Sequence, residues 1–163
     1  MLITNKTRYE EFKPLEKVLK RGEKERLIQA AQEAYKPYAM LTMDEFFGAL
    51  AGDLQLLGDV SDPNVFQMYW CKGFEKFAKE VTKSCEALTI QDHTLDGVNT
   101  GCVEIGGQEA VLIFLRDYFG LPSFTDAGQR TIGEYILARK DTFNKYKMQR
   151  AYQQKQMANL SKK

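Results

Sequence analysis

The sequence predicts a mainly α protein: a single-domain helical bundle of five or six helices, with a small β-hairpin or an irregular insert at about residues 89–107. Apolar residues recur at steps of three and four over most of the chain, which is the pattern of amphipathic helices. Helix-start signals, prolines and glycines divide that pattern into separate elements. The length of 163 residues fits one domain with a real core, and a hydrophobic fraction of 44% is that of a folded chain.

Three predicted helices begin with a capping box, in which a Thr side chain accepts a hydrogen bond from the amide three residues on and a Glu side chain accepts one from the Thr amide. They are Thr7 with Glu10, Thr42 with Glu45, and Thr131 with Glu134. Pro14 removes a backbone donor from the first helix, so we expect a short, broken piece near residues 8–20. A cleaner helix is predicted over residues 23–35, ended by Pro37.

The clearest helix is predicted to start at Ser61-Asp62-Pro63, where a capping candidate precedes a proline in the first turn. Charged residues fill one of its faces, and a stripe of large apolar residues follows the other: Phe66, Tyr69, Trp70, Phe74, Phe77, Val81, Cys85 and Leu88. Aromatic side chains bury the most apolar area per residue, so we expect this stripe to form the centre of the core.

Glycines interrupt the helical pattern after this element, at positions 97, 101, 106 and 107. A hairpin there would turn near Asp96-Gly97 or Asn99–Gly101. Residues 108–119 then predict a buried helix stopped by Gly120, and residues 121–128 predict a loop.

The last helix begins apolar and ends basic. Its first half carries enough apolar residues to dock on the body, whereas its second half has too few to form a core face. No acidic residue follows Asp141, so residues 1–141 carry 17 basic and 22 acidic groups, a net charge of −5, and the six remaining cations lie beyond them. We therefore expect a helical body at 1–141 and a basic, partly projecting C-terminal helix and tail at 142–163.

The sequence contains no recognisable catalytic or cofactor-binding motif. Its only histidine, His93, has no nucleophile and no second nitrogen donor beside it, and Cys71, Cys85 and Cys102 lack the spacing of a zinc or redox site. We predict no metal site, no cofactor and no enzymatic activity; an enzyme of unfamiliar type centred on His93 is the weakest alternative.

The chain also lacks an apolar run of membrane-spanning length, and residues 1–20 lack the apolar centre of a secretory signal. These features predict no membrane association and a cytoplasmic location, which for a viral protein is the host cytoplasm or the virion.

The basic C-terminal segment admits three interpretations. It is a solvated helix tip; or it binds nucleic acid, with cations on phosphates and Tyr rings stacked on bases; or it binds an acidic protein, including a further copy of this chain. The near-neutral total charge disfavours nucleic acid. We therefore predict protein partners, with three aromatic side chains buried in a partner groove and three cations at its rim: Phe143, Tyr146, Tyr152, Lys147, Arg150 and Lys155.

Residues 118–156 resemble the tail-assembly chaperones and similar small helical proteins encoded in phage tail-gene clusters. In these, a loop and an apolar helix start with Glu-Tyr lead into a long polar helix with spaced aromatic residues. The matching positions here are Phe124, Thr131, Glu134, Tyr135, Ala138, Asp141, Tyr146, Ala151 and Tyr152. The resemblance implies a non-enzymatic protein that binds structural proteins during the assembly of a virion or phage tail.

Overall fold

The protein is mainly α, as the sequence predicts. The computed structural model describes residues 2–88, 94–95, 98–99, 103 and 105–162. Within these ranges it has seven α-helices: α1 (Tyr9–Glu16), α2 (Arg21–Ala34), α3 (Met43–Leu50), α4 (Val65–Glu86), α5 (Gly107–Phe119), α6 (Phe124–Gly128) and α7 (Ile132–Leu160). Short 3-10 turns lie at Tyr38–Met40 and Gln55–Leu57.

The predicted number of five or six helices is too small because part of the predicted loop at 121–128 forms α6. Ser123 caps this helix, since its Oγ accepts a hydrogen bond from the amide of Asp126 at 3.2 Å. The predicted stop of α5 is confirmed: Gly120 has a φ of 63°, in the left-handed region that favours glycine.

The segment at 89–107 contains two very short strands, β1 (Thr94–Leu95) and β2 (Val98–Asn99), which pair antiparallel with Thr94 opposite Asn99. Most of this segment, including His93, Cys102 and the predicted turns, lies outside the described residues. The choice between a hairpin and an irregular insert therefore stays a prediction.

The central helix α4 begins two residues later than the sequence predicts. Asn64 forms its capping box: Asn64 Oδ1 accepts a hydrogen bond from the Gln67 amide at 2.9 Å, and Gln67 Oε1 accepts one from the Asn64 amide at 2.8 Å. The Gln67 side chain also donates to the carbonyls of Leu57 and Asp59, at 2.8 and 3.0 Å. Gln67 is buried, and these bonds offset the cost of burying its amide.

The predicted aromatic stripe of α4 is confirmed as the centre of the core. Trp70 is fully buried and stacks on Phe74, with ring centroids 5.1 Å apart, while Tyr38 packs edge-on against Trp70. The Tyr38 hydroxyl donates to the Trp70 carbonyl at 2.7 Å, and Trp70 Nε1 donates to the Lys36 carbonyl at 2.8 Å. The polar atoms of both rings thus have partners inside the core.

The starts of α3 and α7 lie side by side. Thr42 forms the predicted capping box with Glu45. Thr131 forms half of its predicted box: its hydroxyl accepts a hydrogen bond from the Glu134 amide at 3.1 Å, but the Glu134 side chain does not accept one from the Thr131 amide. Two backbone bonds of 2.8 Å join the two starts: the Met43 amide donates to Arg130, and the Ile132 amide donates to Leu41. These bonds fix the direction in which α7 leaves the body.

The third predicted capping box, at Thr7, is wrong. The helix α1 begins at Tyr9, and its N-cap residue Arg8 makes no capping bond. The Thr7 hydroxyl instead accepts a bond from the Thr4 amide, while the Thr7 carbonyl accepts one from Val65 at 2.9 Å. The backbone just before α1 is therefore paired with the start of α4, and Thr7 does not cap α1.

Glu16 joins α1 to α4. Its carboxylate accepts hydrogen bonds from the Tyr9 hydroxyl, at 2.5 Å, and from Lys72 Nζ. Burial raises the pKa of Glu16, but the bonds from Lys72 and Tyr9 outweigh burial and hold this pKa below its usual value of 4.5.

This arrangement predicts a loss of stability in acid. Because the pKa of Glu16 is lower in the folded chain than in the unfolded chain, its contribution is present above about pH 4.5 and is lost as the pH falls through the lowered pKa. We expect Glu16→Gln to flatten the acid limb of a plot of unfolding free energy against pH, measured by urea denaturation. Tyr9→Phe removes one of the two bonds and should flatten it less; an unchanged acid limb in Glu16→Gln would contradict the prediction.

Candidate interaction surface

The first part of α7 is packed on the body. Ile132, Tyr135 and Ala138 are buried, and the Tyr135 hydroxyl shares a hydrogen bond of 2.9 Å with the Ser84 hydroxyl of α4. Burial raises the pKa of Tyr135 to about 12, so this hydroxyl stays protonated and available for the bond. The helix is thereby held firmly over its first three turns.

From Phe143 to Lys162, every residue is exposed. The exposed fractions are 58% for Phe143, 57% for Tyr146, 70% for Met157 and 69% for Leu160. The helix continues unbroken to Leu160. Apolar residues scattered singly on a surface are ordinary, but this segment holds several on one uncovered helix.

Asp141 marks the boundary between the packed and the uncovered part of α7. It accepts a hydrogen bond from the Tyr118 hydroxyl at 2.5 Å and pairs with Lys145 Nζ at 2.8 Å. Hydrogen bonds from Lys145 and Tyr118 lower the pKa of Asp141, and its carboxylate in turn raises the pKa of Lys145. The last acidic side chain of the sequence is thus already paired.

The other cations of the exposed segment are not engaged in ion pairs within the described residues. These are Lys147, Arg150, Lys155 and Lys162. Lys147 lies over the Phe143 ring, with Nζ 5.3 Å from the ring centroid. The exposed segment is therefore positively charged along its whole length and has no acidic side chain of its own.

One stripe of this segment continues the face that the body covers. At about 100° per residue, six positions separated by steps of three and four fall within an arc of about 100°, and this arc follows the direction of buried Ile132 and Tyr135. We call these positions the heptad stripe: Phe143, Tyr146, Arg150, Gln153, Met157 and Leu160.

The structure brings together only part of the predicted partner-binding set. Phe143, Tyr146 and Arg150 lie on the heptad stripe, and Lys147 flanks it. Tyr152 and Lys155 fall on the other side of the helix, about 130° or more from the centre of the stripe. Because the helix is continuous, Tyr152 cannot enter the same groove as Phe143 and would be reached only by a partner that surrounds the helix.

Sequence reasoning missed Gln153, Met157 and Leu160 as members of this surface. The signal was present in the alternating steps of three and four from residue 143 to residue 160. Polar Arg150 and Gln153 in the middle of the stripe obscured it, because they interrupt the apolar sequence that marks such a seam.

A shallow cleft of about 650 Å³ lies between α3 and α4 over Leu50, Phe74 and Ala78. Its rim carries charges of both signs, from Glu75, Lys79, Lys83 and Glu86. In the described part of the chain, no cluster of His, Cys, Asp and Glu has the arrangement of a metal site. Burial raises the pKa of the Cys71 and Cys85 thiols, which is the opposite of what a nucleophilic cysteine needs.

Among the described residues, no helix combines the length and the apolar character that crossing a membrane requires. Comparison of the chain with protein-family models, curated proteins and solved structures finds no match. The fold therefore defines the class, a mainly α single domain with one helix uncovered over its second half, and the functional argument rests on that helix.

Proposed function

We propose that this is a non-enzymatic protein that binds other proteins, or further copies of itself, through the exposed half of α7. The observation that carries the proposal is the heptad stripe, which continues the packed face of α7 beyond the last contact with the body. An exposed helix that presents apolar side chains along one face to a partner is the form that helix-in-groove recognition uses.

The energetics favour a protein surface as the partner. Covering an apolar side chain of this size stabilises a complex by about 1.5–3 kcal/mol when burial is complete, and four such side chains lie on the stripe. In this interaction Phe143 and Tyr146 are the central anchors, while Lys147 and Arg150 meet carboxylates near them. Aromatic and arginine side chains are the residues that most often dominate binding energy at interfaces.

The proposed setting is a macromolecular assembly such as a virion or phage tail. Support comes from the resemblance of residues 118–156 to tail-assembly chaperones, which bind structural proteins. That resemblance includes Thr131, which caps the start of α7, the Glu134-Tyr135 pair in its packed part, and Tyr146, which lies on its exposed half.

A matched pair of variants tests this proposal. Phe143→Ser with Tyr146→Ser removes two anchors of the heptad stripe, whereas Met148→Ser with Tyr152→Ser makes a comparable change on the opposite face, where both residues are also exposed. We expect affinity capture from the native source cells, read by mass spectrometry, to lose its specific partners only with the first pair. Both variants should melt like the wild type, because none of the four side chains is part of the core.

Capture of the same partners by the wild type and by Phe143→Ser with Tyr146→Ser would overturn the proposal. A large fall in the melting temperature of that variant, measured at a concentration at which the wild type is monomeric, would also contradict it, because it would mean that the segment stabilises its own body.

Nucleic-acid binding by the same basic segment is the alternative function. The cations do not form one track, because Lys145, Lys147, Arg150 and Lys155 point in directions spread around the helix at about 100° per residue. The body adds a net charge of −5, which repels a phosphate backbone. The distribution of charge therefore favours a protein over a nucleic acid as the partner of this segment.

We accordingly expect no retention of the full chain on single-stranded DNA at physiological salt. The measurement is a salt-gradient elution, with a heparin column run in parallel. Strong retention that falls steeply as salt rises, as counterion release requires, would instead favour the alternative.

A further inference from the structure

The spacing of the residues on the heptad stripe is the same in both directions along the helix. From Phe143 to Leu160 its steps are three, four, three, four and three residues, and large apolar residues occupy both ends, with Arg150 and Gln153 between them. With this spacing, every position of the stripe can lie opposite a stripe position of a second copy that runs the opposite way. In a two-fold, closed interface each such contact occurs twice, as residue i against j and j against i.

In an antiparallel pair, the apolar positions of one copy face apolar positions of the other, and the polar positions face polar positions. Phe143 of one copy then faces Leu160 of the other, and Tyr146 faces Met157. The two layers in the middle each place Arg150 against Gln153, a charged donor against an amide oxygen that can accept from it. Each apolar layer is repeated by symmetry, so the pair buries four apolar layers around a polar centre.

From this we infer that the exposed half of α7 pairs antiparallel with the same segment of a second copy of this chain, along the heptad stripe. The inference rests on the proposed function and names its partner.

The geometry of α7 fits this pairing over its full exposed length. The body covers α7 as far as Thr142, and the helix ends at Leu160. In the antiparallel register Leu160 lies opposite Phe143, so the partner helix ends where the cover of the body begins. The overlap is about 27 Å at 1.5 Å per residue.

Charge favours the antiparallel direction over the parallel one. A parallel pair places Arg150 against Arg150 in the seam, which desolvates two like charges, and sets both basic ends side by side. The antiparallel pair separates the two basic ends. Each then lies beside the body of the other copy, whose residues 1–141 carry a net charge of −5.

The first test measures the dissociation constant of the full chain by sedimentation equilibrium. We expect a reversible dimer, because the paired segment is short and its centre is polar. Tyr146→Ser with Met157→Ser should raise the dissociation constant more than tenfold by removing two apolar layers, whereas Met148→Ser with Tyr152→Ser on the opposite face should leave it unchanged. A tenfold change corresponds to 1.4 kcal/mol.

The second test measures direction by disulfide formation. In a full chain carrying Cys71→Ser and Cys102→Ser, we introduce either Phe143→Cys or Leu160→Cys; Cys85 is buried and is kept. Mild oxidation should link the two variants when they are mixed and should link neither alone, because like positions lie roughly 25 Å apart in the antiparallel pair. Met148→Cys should not be linked in any mixture.

Linking of each variant to itself would overturn the inference in favour of a parallel pair, and a dimer unaffected by Tyr146→Ser with Met157→Ser would overturn it in favour of another interface. A full chain that stays monomeric, while Phe143→Ser with Tyr146→Ser still abolishes capture of another protein, would overturn the inference and leave the proposed function standing. If neither self-association nor capture depends on the heptad stripe, both the inference and the proposed function are wrong.

Discussion

Trp70→Ala is expected to lower the free energy of unfolding by about 3–5 kcal/mol, which is the usual cost of removing a large buried aromatic side chain. Trp70 is fully buried, stacks on Phe74 and meets the edge of the Tyr38 ring. The alanine variant loses this burial, leaves a cavity at the centre of α4, and leaves the Lys36 carbonyl without its partner. Chemical denaturation followed by circular dichroism measures the change.

Two control variants separate the loss of the hydrogen bond from the loss of the buried ring, and a buried from an exposed aromatic side chain. Trp70→Phe keeps most of the ring but loses the bond from Nε1 to the Lys36 carbonyl, so we expect a smaller loss of about 1–3 kcal/mol. Tyr152→Ala removes an aromatic side chain that is 62% exposed on α7, and we expect a change within about 0.5 kcal/mol. Equal effects of Trp70→Ala and Tyr152→Ala would contradict the assignment of Trp70 to the core.

The main helices were predictable because their signals are local. The stripe of α4 repeats at helical spacing over 22 residues, and Thr42 and Thr131 place capping hydroxyls in front of apolar runs. Such signals operate within one or two turns, and they determine where a helix forms when nothing in the surrounding structure competes for the same groups.

One error arose where distant segments compete for backbone groups. Thr7 resembles a cap, but its carbonyl pairs with Val65, and Arg8 pairs with Asn64 across the same bridge. The start of α4 moved from the predicted Pro63 to Val65, because Asn64 and Gln67 form a reciprocal capping pair in front of Val65. The Thr7 outcome does not follow from the local sequence, because it depends on which segments fold next to each other. The pair of Asn64 and Gln67, in contrast, is a local signal that the prediction from Asp62 and Pro63 missed.

The candidate surface was only partly predictable for a related reason. The sequence indicates that the end of α7 is poor in apolar residues, but it does not show how far along the helix the body reaches. The contacts of Tyr118 with Asp141 place that limit before Phe143. Once the limit and the direction of the buried face are known, Met157 and Leu160 join Phe143 and Tyr146 on one stripe, and Tyr152 leaves it.

Gly73→Ala is the second substitution with a large expected effect, and we expect it to lower the free energy of unfolding by about 1–3 kcal/mol. A Cβ at this position of α4 would clash with the Tyr38 hydroxyl and would lie 2.5 Å from Ile28 Cγ2 of α2. Tyr38 cannot simply turn away, because it is buried and its hydroxyl donates to the Trp70 carbonyl at 2.7 Å. The methyl group must therefore displace the Tyr38 turn and the Ile28 side chain of α2 from α4.

Helix propensity acts in the opposite direction, which makes the sign of the effect informative. Alanine is favoured over glycine inside a helix by about 1 kcal/mol, so a position with free space would gain stability. Gly22 provides that comparison: it lies in α2, and a Cβ there would meet no atom within 4 Å. We expect Gly22→Ala to raise the midpoint of urea denaturation and Gly73→Ala to lower it. If both variants were stabilised alike, α2 and α4 could not lie as close together at Gly73 as the structure places them.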